Sequence, residues 1–150
     1  MKPHPEGGFY GETYRSEEEI EKSALPERYG SNRSFSTQIY FMLVSGNFSA
    51  FHKVNSDETW HFYDGSTVLL HCLHPDKGVI TTMLGLEDGA EPQFTVTRDI
   101  WFAAEVADGG DFSLVGCSVA PGFDFNDFQL ADKDALYSQF PLDIVQRLCR

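Results

Sequence analysis

From Phe35 onward, the chain alternates between short apolar or aromatic runs and clusters of turn residues. Runs of this length that are rich in β-branched and aromatic side chains are typical of β-strands. We predict strands at residues 36–44, 49–54, 58–63, 67–73, 79–84, 93–97, 100–106 and 112–119. The Asp64-Gly65 pair is a strong hairpin signal within this series. Because no helical period separates the runs, the pattern favours an antiparallel sandwich or barrel.

Helical patterns are confined to the C-terminus. Asp132 can cap a turn that carries Leu136 and Phe140 on one side, and Asp143 can cap a second short helix. We expect both helices to pack on the outside of the barrel. The Glu-rich segment 16–32 is either a short amphiphilic helix or a surface loop.

The composition supports a β fold with a pocket. The 150 residues are a one-domain length, so residues 1–150 are interpreted as one domain. The chain contains 13 Phe, 6 Tyr and 2 Trp, which is a high aromatic content. Large rings suit both pleated strands and ligand cavities, and this excess therefore favours a small-molecule ligand.

The charge and the cysteines limit the partners and the compartment. A formal net charge of −12 repels phosphate backbones and anionic lipids, which argues against nucleic acid and membrane partners. Cys72, Cys117 and Cys149 are an odd number without CxxC spacing, and we expect buried free thiols in a reducing compartment. No apolar run approaches the length of a membrane span, so a soluble cytoplasmic protein is expected.

One group of residues suggests a site. Gly46, His52, Glu58 and Gly65 follow one another with five, five and six residues between them. On one strand His52 and Val54 point to the same face, and Glu58, which opens the next strand, can aim at the same interior point. A converging imidazole and carboxylate make either a metal site or an acid–base pair.

This spacing resembles the first motif of the cupin superfamily, except that Val54 stands where that motif has a second histidine. The second cupin motif, PxGxxH, would fall on residues 97–102, where Phe102 replaces its histidine. Cupin metal sites use these four positions, so the resemblance implies that two ligands are lost. His52 and Glu58 alone would hold a divalent metal only weakly, and His61 should face the other way. We expect no metal cofactor.

A narrower resemblance covers nearly the whole chain. Motifs at 4–10, 12–16, 39–43, 57–62, 91–93, 101–105 and 113–123 are similar to one cupin family of unknown function, whose members are sometimes labelled predicted cupin sugar epimerases. The resemblance implies an RmlC-like jelly roll (a double-stranded β-helix), usually paired as a homodimer. Members usually begin with a further helix, which implies a trimmed or naturally short start here.

His52 and Glu58 are the principal candidates for catalysis, although a buried pair that only joins two strands is the alternative. Tyr14 is a candidate acid, and further residues are candidates for ligand binding: Trp60, Phe62, Phe102, Gln93, Tyr40 and Arg15. The opening 4–8 is interpreted as a turn into an edge strand, and the alternative is a segment that crosses the barrel mouth, with Tyr14 and Arg15 contacting the ligand. His71 and His74 are interpreted as surface residues, and the 123–128 cluster as packing or a dimer contact.

Two functions are favoured over a third, a metal-dependent dioxygenase like many cupins. The first is a metal-independent sugar or nucleotide-sugar epimerase or isomerase, in which His52 is the base, Glu58 orients it, and Tyr14 or Tyr40 is the acid. The second is a non-catalytic cytosolic binding or sensor protein for a small polar ring compound, which explains an aromatic pocket without turnover. An acid and a base on opposite sides of the ligand would favour the enzyme.

Overall fold

Two antiparallel sheets face each other in the computed structural model, which describes residues 1–150. The strands are β1 (Lys2–Pro3), β2 (Phe9–Arg15), β3 (Glu19–Ile20), β4 (Arg33–Ser34), β5 (Thr37–Val44), β6 (Phe48–Val54), β7 (Glu58–Gly65), β8 (Val68–His74), β9 (Gly78–Leu84), β10 (Gln93–Val96), β11 (Phe102–Val106), β12 (Phe112–Val119) and β13 (Phe128–Leu130). Two helices follow, α1 (Lys133–Gln139) and α2 (Asp143–Arg147). The predicted all-β class with C-terminal helices is confirmed.

The larger sheet has the order β1-β2-β5-β12-β7-β10, and the smaller one has the order β13-β6-β11-β8-β9. Segment 16–32 is mostly a loop, which pairs β3 with β4 and contains one 3₁₀ turn at Lys22–Ala24. The buried Arg33 guanidinium forms two hydrogen bonds to Asp127, at 2.7 and 2.8 Å, and fastens this loop to the body of the protein. None of the helices is long and apolar enough to span a membrane.

Strand register decides which side chains of the larger sheet face inward. One row of paired residues carries inward side chains: Ile39, Cys117, Trp60 and Phe94. The next row of paired residues faces outward: Tyr40, Gly116, His61 and Gln93. The inward rows meet the inner face of the smaller sheet and form the main core with residues such as Leu70 and Phe102.

The outer face of the smaller sheet is covered by the C-terminal helices, where Phe51, Leu73 and Ala103 pack against Leu136 and Val145. The Asp132 side chain caps α1 by accepting a hydrogen bond from the Ala135 amide at 2.9 Å, as the sequence indicates. The expected cap at Asp143 is wrong. The backbone after Pro141 stays extended through Leu142, which is the N-cap, and Asp143 is already helical.

His71 is not the surface residue expected from the sequence. It lies on the outer face of the smaller sheet and is buried there, with its Nδ1 2.8 Å from the Thr81 hydroxyl and its Nε2 3.0 Å from Glu105. Arg147 of α2 also pairs with Glu105. The helices that cover this face therefore bury a residue that strand alternation alone would leave exposed.

Candidate functional site

A cavity of about 450 Å³ opens between the two sheets. Its walls carry six aromatic rings: Tyr10, Phe41, Trp60, Phe123, Phe125 and Phe128. The buried polar groups of the lining are Glu6, Thr37, His52, Glu58 and Cys117, while the exposed Lys2, Glu12 and Arg15 mark the mouth. An aromatic wall with a few converging polar groups is the usual composition of a small-molecule site.

His52 is held by two contacts that fix its protonation. Its Nδ1 lies 2.7 Å from the Ala50 carbonyl oxygen, to which it donates, so Nε2 of the neutral ring is an acceptor. Nε2 lies 3.2 Å from Oε2 of Glu6. Burial lowers the pKa of His52 to about 3, which keeps the ring neutral at pH 7.

Glu6 is the carboxyl partner of His52. Its Oε1 accepts a hydrogen bond from the Ser49 hydroxyl at 2.6 Å. Burial, and then the nearby Glu58 carboxylate, raise the pKa of Glu6 well above its ordinary value, against the opposing effect of the Ser49 bond. The raised pKa favours the protonated carboxyl, which can donate its proton to an imidazole nitrogen.

His4 lies on the other side of the same oxygen, with its Nδ1 3.3 Å from Glu6 Oε2. The backbone N–H of Glu6 donates to this Nδ1 over 3.4 Å, which makes Nδ1 an acceptor. Burial lowers the pKa of His4 to about 4. The carboxyl proton of Glu6 can thus be donated in a hydrogen bond to either of two neutral imidazoles.

The loop 4–8 places Glu6 in the cavity because two glycines follow it. The His4 amide donates to the Gly8 carbonyl at 3.0 Å, and the Gly7 amide donates to the His4 carbonyl at 3.0 Å. Gly7 and Gly8 have φ angles of 110° and 71°, which favour glycine. A Cβ on Gly7 would lie 2.1 Å from the Phe48 carbonyl oxygen. Only glycine lets the backbone approach the barrel this closely.

Glu58 enters the cavity from β7 of the larger sheet, whereas His52 comes from β6 of the smaller one. Burial raises the pKa of Glu58 to about 7, although the neighbouring Trp60 and Cys117 groups lower it. No cationic side chain lies within 4 Å of the carboxyl. At neutral pH this group exists in both protonation states, as a general acid or base requires.

Trp60 has a polar atom without a partner. The ring is 1% exposed and lines the cavity, and its Nε1 faces the Glu58 carboxyl, whose pKa it lowers, without the geometry of a full hydrogen bond. A buried N–H without an acceptor is destabilising. An acceptor atom on a bound molecule would satisfy it.

Four of the residues predicted from the sequence line the cavity, namely His52, Glu58, Trp60 and Arg15. The expected direct pairing of His52 with Glu58 is wrong, because the carboxyl partner of His52 is Glu6. Arg15 is already engaged at the mouth, where it binds both carboxylate oxygens of Glu12 at 2.8 and 3.1 Å and the Phe123 carbonyl.

The other predicted residues lie elsewhere. Tyr14, Tyr40 and Gln93 are exposed and lie outside the cavity, since Tyr40 and Gln93 belong to the outward row of the larger sheet. Phe62 and Phe102 point inward but pack in the core beyond the cavity lining. Phe102 still supports the site, because its ring lies 4.1 Å from the His52 ring between centroids.

The sequence favours a turn into an edge strand at residues 4–8, with a segment that crosses the barrel mouth as the alternative. The structure has the turn and also brings His4 and Glu6 into the cavity lining. The available signal was the combination of two titratable residues with two adjacent glycines. Phe123, Phe125 and Phe128 also line the cavity, so their packing forms one wall of the site.

The residues present do not fit the metal that the cupin motifs imply. Val54 and Phe102 supply hydrocarbon at two of the four ligand positions, and both ring nitrogens of His52 are engaged by Ala50 and Glu6. No three His, Cys, Asp or Glu side chains are grouped so that they could hold a metal ion. A first-row metal normally needs at least three such ligands.

Comparisons with known proteins assign the fold. Residues 1–131 match the family described as "Cupin superfamily (DUF985)". A crystal structure from Shewanella oneidensis is 38% identical, with a TM-score of 0.87 over 99% of this chain and 90% of that one. A hypothetical protein from Leishmania major is 30% identical, with a TM-score of 0.87 over 99% and 92%. No curated protein matches.

The fold likeness extends to more distant proteins. A cupin 2 domain-containing protein from Halorhodospira halophila is 13% identical, with a TM-score of 0.61 over 99% of this chain and 87% of that one. At this identity the likeness shows the fold alone. The predicted double-stranded β-helix is therefore confirmed, and so is the resemblance on which it was based.

Proposed function

The chain belongs to the DUF985 family of the cupin superfamily, and we propose that its cavity binds a small polar ring compound of the sugar class and isomerises or epimerises it without a metal. One observation carries the proposal. Two separate proton-holding groups reach the same cavity from the two sheets, Glu58 on one side and the Glu6–His52 pair on the other.

The chemistry moves one proton. In such a reaction a base takes the proton from the carbon next to a carbonyl, the electron pair forms an enolate, and an acid returns a proton to carbon. Glu58 is suited to act as the base because its pKa of about 7 lets it accept a proton at neutral pH. The Glu6–His52 pair, which holds one proton, is suited to hydrogen-bond the carbonyl oxygen or to return the proton. In this proposal His52 is part of the acid, whereas the sequence predicts it to be the base.

The rest of the cavity supports binding of a ring. Its volume of about 450 Å³ is within the range of small-molecule sites. The aromatic walls offer stacking faces for the apolar side of a sugar ring. The unpartnered N–H of Trp60 offers a hydrogen bond to a ring oxygen or a hydroxyl.

Solvent exchange tests the proposal directly. The protein is incubated in D₂O with a panel of aldoses and ketoses, and NMR detects loss of the proton next to the carbonyl while calorimetry measures binding. We expect exchange with wild type, and a loss of about 100-fold or more in Glu58→Gln with affinity retained. Glu27→Gln, which alters an exposed carboxyl, is the matched control.

Binding without exchange would overturn the catalytic part and favour the binding or sensor function instead. Absence of binding by every member of the panel would contradict the sugar class itself.

We also propose a homodimer in the cytoplasm. Tyr40 and Tyr63 are about half exposed on the outer face of the larger sheet, with ring centroids 5.9 Å apart, and Phe112 of β12 in the same sheet is exposed as well. A second copy that covers this face would bury these rings, which is a common use of an exposed aromatic sheet face. The three cysteines are free and buried, which suits a reducing compartment.

A further inference from the structure

The charges that line the cavity are distributed unevenly. At the mouth, Arg15 is paired with Glu12, and the exposed Lys2 and the half-buried Asp124 carry opposite charges, so the fixed charges there cancel. The buried part of the lining contains two carboxyls and two imidazoles, with no Lys or Arg. The interior can therefore gain negative charge but has no permanent positive charge.

Glu58 is the carboxyl of the cavity that most lacks a cationic partner. Its carboxyl is buried, and no cation of the chain lies within ion-pair distance. Glu6 interacts electrostatically with Glu58, so a second carboxyl faces the same space. An ionised buried carboxylate is costly unless an opposite charge accompanies it. A ligand cation would supply this missing charge.

The walls are also suited to a cation. Trp60, Phe41, Tyr10 and three further phenylalanine rings line the same cavity as the carboxyls. Aromatic faces attract ammonium groups, most strongly where water is excluded. An anionic ligand would instead meet both carboxyls within a chain whose net charge is −12.

The donor of Trp60 adds a second requirement. Trp60 and Glu58 are two residues apart on β7, and both face the cavity. Trp60 Nε1 needs an acceptor atom, which an ammonium group cannot provide. An oxygen beside the cationic group of the ligand would give this N–H an acceptor of better geometry than the Glu58 carboxyl.

We infer that the ligand of this cavity is a small organic cation that bears an adjacent oxygen, such as an amino sugar or an amino alcohol. The ammonium group lies against Glu58, and the oxygen accepts the Trp60 N–H. This inference rests on the proposed function for the location of the site, and it narrows the ring compound to a cationic one. Phosphorylated and nucleotide-linked sugars are excluded by the same charges.

Three sugars of similar size and different charge distinguish the effect of ligand charge from the effect of ligand shape. Calorimetry at pH 6.5 and low salt compares D-glucosamine, D-glucose and D-glucuronate, which are cationic, neutral and anionic. We expect glucosamine to bind at least about tenfold more tightly than glucose, and glucuronate to bind most weakly. Glu58→Gln should remove the preference for glucosamine while retaining the affinity for glucose, and Glu27→Gln should leave both unchanged. Trp60→Phe, which keeps a ring but loses the donor, should weaken both.

A second pair of probes keeps this inference distinguishable from the sugar proposal. Choline carries a permanent charge, and 3,3-dimethyl-1-butanol is its neutral isostere. Preference for choline without binding of any sugar would support the cation and overturn the sugar class. Equal binding of glucosamine and glucose, or tighter binding of glucuronate, would overturn the cation and leave the sugar class standing. Absence of binding by all five probes would overturn both.

Discussion

Oε2 of Glu6 lies 3.2 Å from Nε2 of His52, so a carboxyl from the N-terminal loop occupies the free nitrogen of the cupin histidine. The other nitrogen of the ring donates to the Ala50 carbonyl. Both atoms at the short contact would be acceptors if Glu6 were ionised and His52 neutral. The proton that joins them is therefore part of the folded structure.

Substitution of Glu6 tests this shared proton. A glutamine amide can donate to His52 and accept from Ser49 as a protonated glutamate does, so Glu6→Gln should change the free energy of unfolding at pH 7 by about 1 kcal/mol or less. Glu6→Ala leaves His52 Nε2 and the Ser49 hydroxyl unpaired and should cost about 2–4 kcal/mol. Urea unfolding of the three proteins measures both differences. A cost for Glu6→Gln as large as that for Glu6→Ala would indicate an ionised Glu6 instead.

The dependence of stability on pH tests the burial of Glu58. Its pKa is raised from 4.5 to about 7 in the folded state, so its stabilising contribution is complete below pH 4.5 and is lost as the pH rises through 7. Glu58→Gln does not titrate. The variant should therefore gain stability relative to wild type between pH 5 and 8, by on the order of 3 kcal/mol.

His4 and His52 have lowered pKa values and act in the opposite direction, because their stabilising contribution is lost as the pH falls. Both are present in wild type and variant, so their effects largely cancel in the difference. Urea unfolding at several pH values provides the measurement, with Glu27→Gln as the control whose difference should stay constant. A pH-independent difference for Glu58→Gln would show that Glu58 titrates normally.

The glycines of the N-terminal loop should be intolerant of substitution. In Gly7→Ala the new methyl group would overlap the Phe48 carbonyl at a φ angle of 110°, so the loop must move away from the barrel. We expect a loss of about 2–4 kcal/mol in the free energy of unfolding. Gly30→Ala is the control, because a Cβ there meets no atom within 4 Å. Equal stability of the two variants would show that the loop is not fixed as described.

The proposed dimer predicts a specific effect of charge on the larger sheet. Tyr40→Lys and Tyr63→Lys place a cation on a face that a second copy would bury, so each should shift the dimer to monomer. Tyr137→Lys, on α1, is the control because Tyr137 is exposed on the helical side. Sedimentation velocity measures the assembly. A wild-type monomer at tens of micromolar would contradict the dimer.

Local patterns in the sequence predict much of the fold. The eight predicted strands match β5 to β12 to within one or two residues at each end, and 112–119 agrees at both ends. Alternation along β7 also predicts that Glu58 and Trp60 share the inward face, because nothing interrupts the strand between them.

The rest depends on contacts that no local pattern contains. Aromatic side chains occupy both faces of the larger sheet, so hydrophobicity alone does not distinguish Tyr40, which is outward, from Phe41, which is inward. The pairing of Glu6 with His52 joins a loop to a distant strand and depends on the path set by Gly7 and Gly8. Burial of His71 likewise depends on helices at the other end of the chain.

Direct titration of the two buried carboxyls provides the most direct test, because the proposed chemistry requires Glu6 to hold its proton and Glu58 to change protonation state near neutral pH. ¹³C NMR of labelled glutamate side chains, assigned with Glu6→Gln and Glu58→Gln, gives the two midpoints in the folded protein. We expect Glu58 to titrate near pH 7 and Glu6 to remain protonated well above its ordinary range. Midpoints near 4.5 for both carboxyls would contradict the proposed acid–base site.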